Sequence, residues 1–113
     1  MSRSWQLFLR DMQESAGKIA RFTAGATTEA FVANEVMYDA VLYNLQILGE
    51  AAKKIPDTVR QQHPDIYWRG IAGLRDVLSH AYFAVDSAAL WKIVSVDIPR
   101  LVVQLERIET DLP

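Results

Sequence analysis

Residues 74–82, Leu74-Arg75-Asp76-Val77-Leu78-Ser79-His80-Ala81-Tyr82, carry polar or ionisable side chains within an otherwise apolar stretch. At 100° per residue, the apolar residues share one side of a helix and the polar residues follow one another around the other side. The stretch therefore predicts an amphipathic helix. An arginine, a carboxylate and an imidazole on one helix could serve phosphodiester chemistry, and they are equally compatible with an ordinary solvated face. The predicted apolar stripe consists of Ile71, Leu74, Leu78 and Ala81.

Length and charge limit the classes of protein to which the chain can belong. With 113 residues it predicts one domain, residues 1–113. Half of the residues are hydrophobic and the formal net charge is -2, which argues against disorder and excludes a globally basic nucleic-acid-binding protein. Any contact with RNA must therefore use a local patch. Residues 53–80 offer one, because their five basic residues outnumber three acidic ones.

Several classes of site are absent from the sequence. The chain has no cysteine, which excludes disulfides and thiolate chemistry and suits a reducing compartment. Its two histidines, His63 and His80, have no acidic cluster around both, so we predict no metal site, and no cofactor. The N-terminus lacks an apolar secretory segment, and polar residues interrupt the longest apolar region. We expect a soluble cytoplasmic protein with no membrane partner.

The spacing of apolar residues predicts four principal helices. The first covers about residues 5–22, and the second runs from a cap at Thr27 or Thr28 to about Lys54, shortly before Pro56. A short surface helix is expected within residues 57–63. The third principal helix begins near residues 66–69 and ends near His80.

The last helix is predicted to begin at a cap formed by Asp86-Ser87 and to end near Glu109. Pro99 lies inside it and cannot donate the hydrogen bond of a helical turn, so we expect a kink between Val94 and Pro99. No stretch alternates with period two for long enough to be a strand. The predicted fold is an all-α antiparallel bundle of four principal helices.

Arg75, His80 and Tyr82 form the pattern Arg-x4-His-x-Tyr, which resembles the signature of the HEPN superfamily. The C-terminal two thirds are similar, more specifically, to HepT-like toxins of the minimal-nucleotidyltransferase toxin–antitoxin systems. A bare Arg-x4-His pattern often arises by chance, but phrases typical of these toxins flank it in the same order over about residues 35–108. The phrases are Leu48-Gly49-Glu50-Ala51-Ala52, Trp68-Arg69-Gly70-Ile71-Ala72-Gly73-Leu74-Arg75-Asp76, Ser79-His80-Ala81-Tyr82, Val85-Asp86 with Trp91, and Asp97-Ile98-Pro99-Arg100-Leu101.

The resemblance implies a HEPN-like helical homodimer that acts as a metal-independent RNA endonuclease through Arg75 and His80. It also implies a nucleotidyltransferase antitoxin as partner, which silences the toxin by adenylylating Tyr82. Two residues depart from the common pattern, because Asp76 stands where many relatives have Asn and Ala81 where they have Gly. Asp76 lowers the local positive potential, but the arginine, histidine and tyrosine are intact.

The chemistry can also be argued from the residues. RNA contains its own nucleophile, the 2′-hydroxyl, so cleavage needs a base, an acid and a cation beside the phosphate. His80, with an ordinary imidazole pKa of about 6.5, suits the proton transfers, and Arg75 suits bidentate contact with phosphate oxygens. Asp76 lies four residues before His80 and can orient the imidazole and favour its charged form. Asp76 and Ser79 are therefore predicted as supporting residues.

Two further arguments concern the geometry of the predicted helix. Positions 75 and 80 are about 140° apart on an ideal helix, and each chain has one histidine in the motif. Two copies facing each other across a cleft would therefore assemble the site better than one copy. Tyr82 lies about 20° from Arg75 around the helix, so an AMP group on it would bring negative charge and bulk beside the arginine.

Several residues have more than one interpretation. Arg69, Lys53 and Lys54 are candidate RNA contacts, although paired lysines at a helix C-terminus also interact favourably with the helix dipole. Trp68 and Trp91 are expected to pack in the core rather than to stack on bases, and His63 is expected at the surface. Glu50 is expected to cap a buried polar contact with the predicted third principal helix, with catalytic support as the alternative.

The sequence is compatible with two functions, a ribonuclease and a binding module. The intact Arg-x4-His pattern favours the ribonuclease. The acidic net charge and Asp76 keep open a catalytically silent HEPN domain that acts as the binding partner of a nucleotidyltransferase.

Overall fold

The computed structural model describes residues 4–83 and 86–108, with the side chains of residues 79–83 outside the description. These residues contain no β-strand, which confirms the all-α prediction. The helices are α1 (Trp5–Phe22), α2 (Thr28–Ala33), α3 (Glu35–Ala52), α4 (Asp57–Gln62), α5 (Trp68–Ala72), α6 (Leu74–Phe83), α7 (Ser87–Lys92) and α8 (Ile98–Glu106), and a π-helical turn, Ile93–Asp97, joins α7 to α8.

The bundle is built around α3, which packs against α1 on one side and against α5 and α6 on another. Helix α8 completes the core by packing on α1. Because apolar residues recur every three or four positions, each helix presents one apolar side to this core. Side chains that are at most 5% exposed include Leu9, Met12 and Ile19 of α1, Val41, Leu45 and Leu48 of α3, and Leu101 and Leu105 of α8.

The predicted second helix is in fact two helices, α2 and α3, which meet at Asn34. Asn34 has an extended backbone, and its side-chain Oδ1 accepts a hydrogen bond from the Met37 N–H at 3.0 Å. Asparagine is among the best N-capping residues. Its side-chain bond caps the start of α3, so α2 and α3 do not form one continuous helix. The cap predicted at the start of α2 is confirmed, since the Thr27 side chain accepts from the Ala30 N–H at 3.1 Å.

The predicted third helix is also divided. It breaks at Gly73, whose φ of -85° and ψ of 4° end α5 before α6 begins at Leu74. A Cβ at this position would lie 3.3 Å from the Arg69 carbonyl oxygen, so a side chain here would require a small local shift. Helix α6 continues beyond the predicted end near His80 and reaches Phe83, so position 82 is still helical.

The predicted last helix contains a π-helical turn where the kink was expected. The N–H of Ile98 bonds to the carbonyl of Ile93, five residues earlier rather than four. Pro99 follows directly and has no N–H to donate, so regular α-helical bonding cannot continue through it. The cap at Asp86 is confirmed by a 3.1 Å bond from the Ala89 N–H, whereas the predicted end at Glu109 lies outside the described residues.

Within the described parts of the chain, no helix is both long enough and apolar enough to span a membrane.

Candidate functional site

The junction between α5 and α6 approaches α3 closely. A Cβ added to Gly49 of α3 would lie 3.1 Å from the carbonyl oxygen of Ile71 and 3.5 Å from Cβ of Leu74. The glycine therefore lets the backbone at the start of α6 sit directly on α3. The buried residues Leu74 and Leu78, 5% and 7% exposed, fix the rotation of α6 about its axis.

This rotation decides where the polar residues of α6 lie. Arg75 and Asp76 are exposed, as the amphipathic pattern predicts, and both occupy the first turn of the helix. Positions 79, 80 and 82 lie on the same helix. The side chains of Ser79, His80 and Tyr82 are outside the described residues, so their predicted roles stay predictions.

The loop before α5 is held by two hydrogen bonds from side chains to backbone carbonyls. Trp68 is 8% exposed, and its Nε1–H donates to the carbonyl of His63 at 3.0 Å. The Gln104 side chain of α8 donates from Nε2 to the carbonyl of Asp65 at 2.9 Å. Trp68 is thus a packing residue, as expected. Trp91 also packs, with its ring centroid 5.1 Å from that of Phe31.

The candidate RNA-contacting residues are not all on one side. Arg69, Lys53 and Lys54 are exposed. Lys53 is the C-cap of α3, and Lys54 follows it in the turn beyond the helix. Lys54 lines a depression with Phe8 of α1, so it lies toward α1. Arg69 lies on α5.

Glu50 lies at the surface rather than in a buried contact with α6. Its Oε1 is 3.6 Å from Nζ of Lys53, and both side chains are about half exposed. An exposed pair of this kind contributes at most about 1 kcal/mol. The structure therefore gives no sign of the predicted buried role of Glu50, and it shows that part of the Lys53 charge is already balanced.

A cavity of about 330 Å³ lies between α5–α6 and the segment from Ile93 to Gln104. We refer to it as the α6–α8 cavity. Its floor is apolar, and Val77 of α6 forms part of its wall. Position 80 is about 60° from Val77 around the helix, and Arg75 is about 160° from it. The edge of the cavity carries Asp65, Tyr67, Asp97, Arg100 and Gln104.

Sequence reasoning missed Tyr67 as a candidate site residue. It precedes a tryptophan that was correctly placed in the core, and it is 72% exposed. The signal in the sequence is the glycine three residues later, Gly70, which leaves space for the ring. Gly70 alone does not indicate a site, because the cavity beside Tyr67 also requires α8 on its other side.

Among the residues that the structure describes, no group of three or more histidines and carboxylates is arranged to hold a metal ion. In the described part of α6, Arg75 and Asp76 are exposed at neighbouring positions.

Comparison with known proteins agrees with the sequence resemblance. A family model described as ribonuclease HepT-like matches residues 12–108. A Thermococcus cleftensis protein named "Probable ribonuclease HepT" is 42% identical over 108 residues, covering 96% of this chain and 98% of that protein. Two proposed RNases of Methanocaldococcus jannaschii are each 36% identical, one over 104 residues (92% and 95% of the two chains) and one over 110 residues (97% and 91%). No solved structure matches the chain significantly. The predicted family is confirmed, and the chain belongs to the ribonuclease HepT-like family.

Proposed function

We propose that the chain is a metal-independent RNA endonuclease, active as a homodimer, and the toxin of a toxin–antitoxin pair. The observation that carries the proposal is the unbroken helix α6, Leu74–Phe83, which contains the whole Arg-x4-His-x-Tyr pattern and exposes Arg75. Membership of a family named for a ribonuclease, and relatives with RNase names, support the choice of RNA as substrate.

Each residue of the pattern has a chemical task in this proposal. Arg75 contacts the non-bridging phosphate oxygens and stabilises the negative charge that develops on them. His80 transfers a proton, either from the attacking 2′-hydroxyl or to the departing 5′-oxygen. Asp76 and Ser79 support His80, Asp76 through its i,i+4 relation on α6. General acid–base assistance of this kind is worth about 10²- to 10⁴-fold in rate.

The regular helix α6 supports the proposed homodimer. Positions 75 and 80 are about 140° apart around its axis, so one copy of the helix does not direct both side chains at one phosphate. A phosphate between two copies of α6 can meet an arginine of one copy and a histidine of the other.

RNA contacts outside the pattern are assigned to Arg69 and Lys53, and more weakly to Lys54, which lies toward α1. With a net charge of -2, binding depends on such local cations and is expected to weaken steeply with salt.

Regulation is assigned to Tyr82. A nucleotidyltransferase antitoxin would transfer AMP from ATP to the tyrosine hydroxyl and release pyrophosphate. Position 82 is helical and about 20° from Arg75 around the axis, so the added phosphate lies on the arginine side of α6. Its charge and bulk would compete with RNA phosphate for that site.

Cleavage of total RNA by the purified protein tests the enzyme. We expect the unmodified wild type to cut RNA without added metal, and the Arg75→Ala, His80→Ala double variant to lose at least about 10²-fold of this activity. An unmodified wild type that binds a nucleotidyltransferase but cuts no RNA would instead favour the silent binding module, for which Asp76 and the acidic net charge are the supporting observations.

Mass spectrometry tests the regulation. Protein produced together with its proposed nucleotidyltransferase partner should carry about one AMP mass, located at Tyr82, and should be inactive. A Tyr82→Phe variant should stay unmodified and active under the same conditions. AMP on another residue, with Tyr82 unmodified, would contradict the proposed switch.

A further inference from the structure

Tyr67 presents an aromatic ring to solvent at a position that the backbone holds firmly. Tyr67 as a whole is 72% exposed, while the next residue, Trp68, is buried and its indole N–H donates to the His63 carbonyl. The Tyr67 carbonyl accepts the Ile71 N–H at 3.1 Å. The base of the side chain is therefore fixed, and the ring is left available at the edge of the α6–α8 cavity.

Gly70 sets the position of this ring. A Cβ built on Gly70 would lie 2.4 Å from Cε2 and 2.5 Å from Cδ2 of Tyr67, far closer than atoms can approach. The ring thus lies against the backbone of α5, in space that only a glycine leaves open. Tyr67 also lines the cavity, and the residue as a whole stays mostly exposed.

The cavity beside the ring has the size and polarity of a subsite for one flat group. Its volume of about 330 Å³ is near the lower end of the range of about 300 to 1,000 Å³ for small-molecule pockets. Its floor consists of apolar side chains from α3, α5, α6 and α8, including Leu48, Ile71 and Leu101.

Charge at the edge of the cavity disfavours a phosphate inside it. Asp65 and Asp97 supply two carboxylates against the single guanidinium of Arg100. Carboxylates accept hydrogen bonds from the amino groups of bases, as Asp and Glu do from N4 of cytosine. A neutral base fits this cavity, because it can stack on the aromatic ring and donate a hydrogen bond from an amino group to a carboxylate. Arg100 can contact the adjoining phosphate.

The cavity also adjoins the helix of the proposed reaction. Val77 lines it, and position 80 follows three residues later, about 60° around α6. A base held in the cavity would therefore lie on the flank of α6 that carries the proposed acid–base residue.

We propose that Tyr67 and the α6–α8 cavity form a subsite for one unpaired RNA base that carries an exocyclic amino group. This proposal rests on the proposed function for the choice of RNA as ligand. Tyr67 stacks on the base, Gly70 leaves the space that the ring occupies, and the carboxylates of Asp65 and Asp97 accept from the amino group. The subsite makes Tyr67 a determinant of where the RNA is cut.

Binding of short 2′-O-methyl oligonucleotides tests the subsite, because the methyl group blocks the internal nucleophile and prevents turnover. We expect wild type to bind oligo(C) more tightly than oligo(U), since the two bases differ by the 4-amino group. Tyr67→Ala should raise the Kd for oligo(C) by about 5- to 150-fold, the range for loss of one stacked base. Tyr67→Phe should keep the wild-type Kd within about twofold, because it keeps the ring.

Two further variants make the test specific. Gly70→Ala keeps the tyrosine but displaces its ring, so it should raise the Kd in the same direction without lowering the thermal stability. Tyr43→Ala removes another tyrosine that is 65% exposed, on α3, and should leave the Kd unchanged. Wild-type affinity for oligo(C) in Tyr67→Ala would overturn the proposal.

Failure of the subsite can be separated from failure of the enzyme. Tyr67-dependent binding without any RNA cleavage would contradict the ribonuclease and leave the subsite standing. Cleavage that depends on Arg75 and His80, with binding unaffected by Tyr67→Ala, would contradict the subsite alone. If Tyr67→Ala instead lowered the sedimentation coefficient and left the Kd unchanged, the cavity would be an interface between protein chains, and the proposal would fall.

Discussion

Asp76 places a carboxylate one residue after the arginine that the proposed reaction uses. Both side chains are exposed at the start of α6, so the negative charge is within a Debye length of any phosphate bound there. The same carboxylate is four residues before His80 and can hold its imidazole. In the proposed reaction Asp76 therefore opposes substrate binding and supports proton transfer, and we expect the two effects to act on different kinetic constants.

Asp76→Asn should therefore lower both KM and kcat. The loss in kcat is expected to be at most about 5-fold, which corresponds to the 1 kcal/mol upper range of an exposed charged pair. Steady-state kinetics on a single RNA measures the two constants, and an NMR titration of the His80 ring should show a lower midpoint in the variant, since the charged imidazole loses its partner.

Asp39→Asn is the control for this change, because Asp39 is also exposed but lies on α3. It should alter neither constant. An unchanged His80 titration in Asp76→Asn would show that the carboxylate does not orient the imidazole.

At the scale of single residues, the sequence predicted exposure and burial well. Arg75 and Asp76 are exposed, and Ile71, Leu74 and Leu78 are buried, because helical periodicity alone decides which side faces the core. Tyr67 could not be predicted in the same way. Tyr67 lines the cavity because α8 lies opposite α5, and the local sequence pattern does not predict that arrangement.

At the scale of elements, Gly49 determines how near α6 lies to α3. A Cβ added at this position would lie 3.1 Å from the Ile71 carbonyl oxygen, a backbone atom, which cannot rotate away as a side chain can. Any side chain at position 49 must push the α5–α6 junction outward. The position of Arg75 would move with it.

Gly49→Val should destabilise the protein by about 1 to 3 kcal/mol, the usual cost of overpacking a core contact. Denaturant unfolding measures this loss. In the fraction that remains folded, RNA cleavage should also fall, because α6 shifts relative to the rest of the site.

Gly17→Ala provides the matched control on α1. There the added Cβ would meet only the end of the Arg21 side chain, at 3.4 Å, which is flexible. The variant should therefore gain about 0.5 to 1 kcal/mol from helix propensity and keep full activity. Equal stability of Gly49→Val and wild type would refute the close-packing argument.

The elements themselves were predictable in type and less so in continuity. Asn34 and Gly73 each divide a helix that apolar spacing alone would continue. The spacing of apolar residues shows which side of a helix is buried, but it does not show where a helix is interrupted. The break at Asn34 depends on one capping hydrogen bond, and the break at Gly73 depends on the backbone angles of one residue. The short helix α4, Asp57–Gln62, was predicted because two prolines bound that segment.

At the scale of the whole molecule, the proposed dimer makes a prediction about mixed assemblies. If each site joins Arg75 of one protomer to His80 of the other, Arg75→Ala and His80→Ala chains can complement each other. Equal amounts of the two variants, unfolded and refolded together, should recover about a quarter of wild-type activity, because half of the dimers are mixed and each mixed dimer has one intact site.

The control mixes wild type with the Arg75→Ala, His80→Ala double variant, whose mixed dimers have no intact shared site. Activity in the first mixture that does not exceed the sum of the two separate variants would show that each site belongs to one chain. Sedimentation of both mixtures confirms that dimers formed.

The π-helical turn at Ile93–Asp97 has a consequence for how sequences of related proteins are compared. One residue inserted into a regular α-helix rotates everything after it by about 100°. A π turn absorbs an extra residue locally, so Leu101 and Leu105 still face α1. Chains of this family can therefore differ by one residue between Trp91 and Pro99 and keep the same core. Alignments should place such a gap inside the turn, so that residues of α8 are matched by position in space rather than by their count from Trp91.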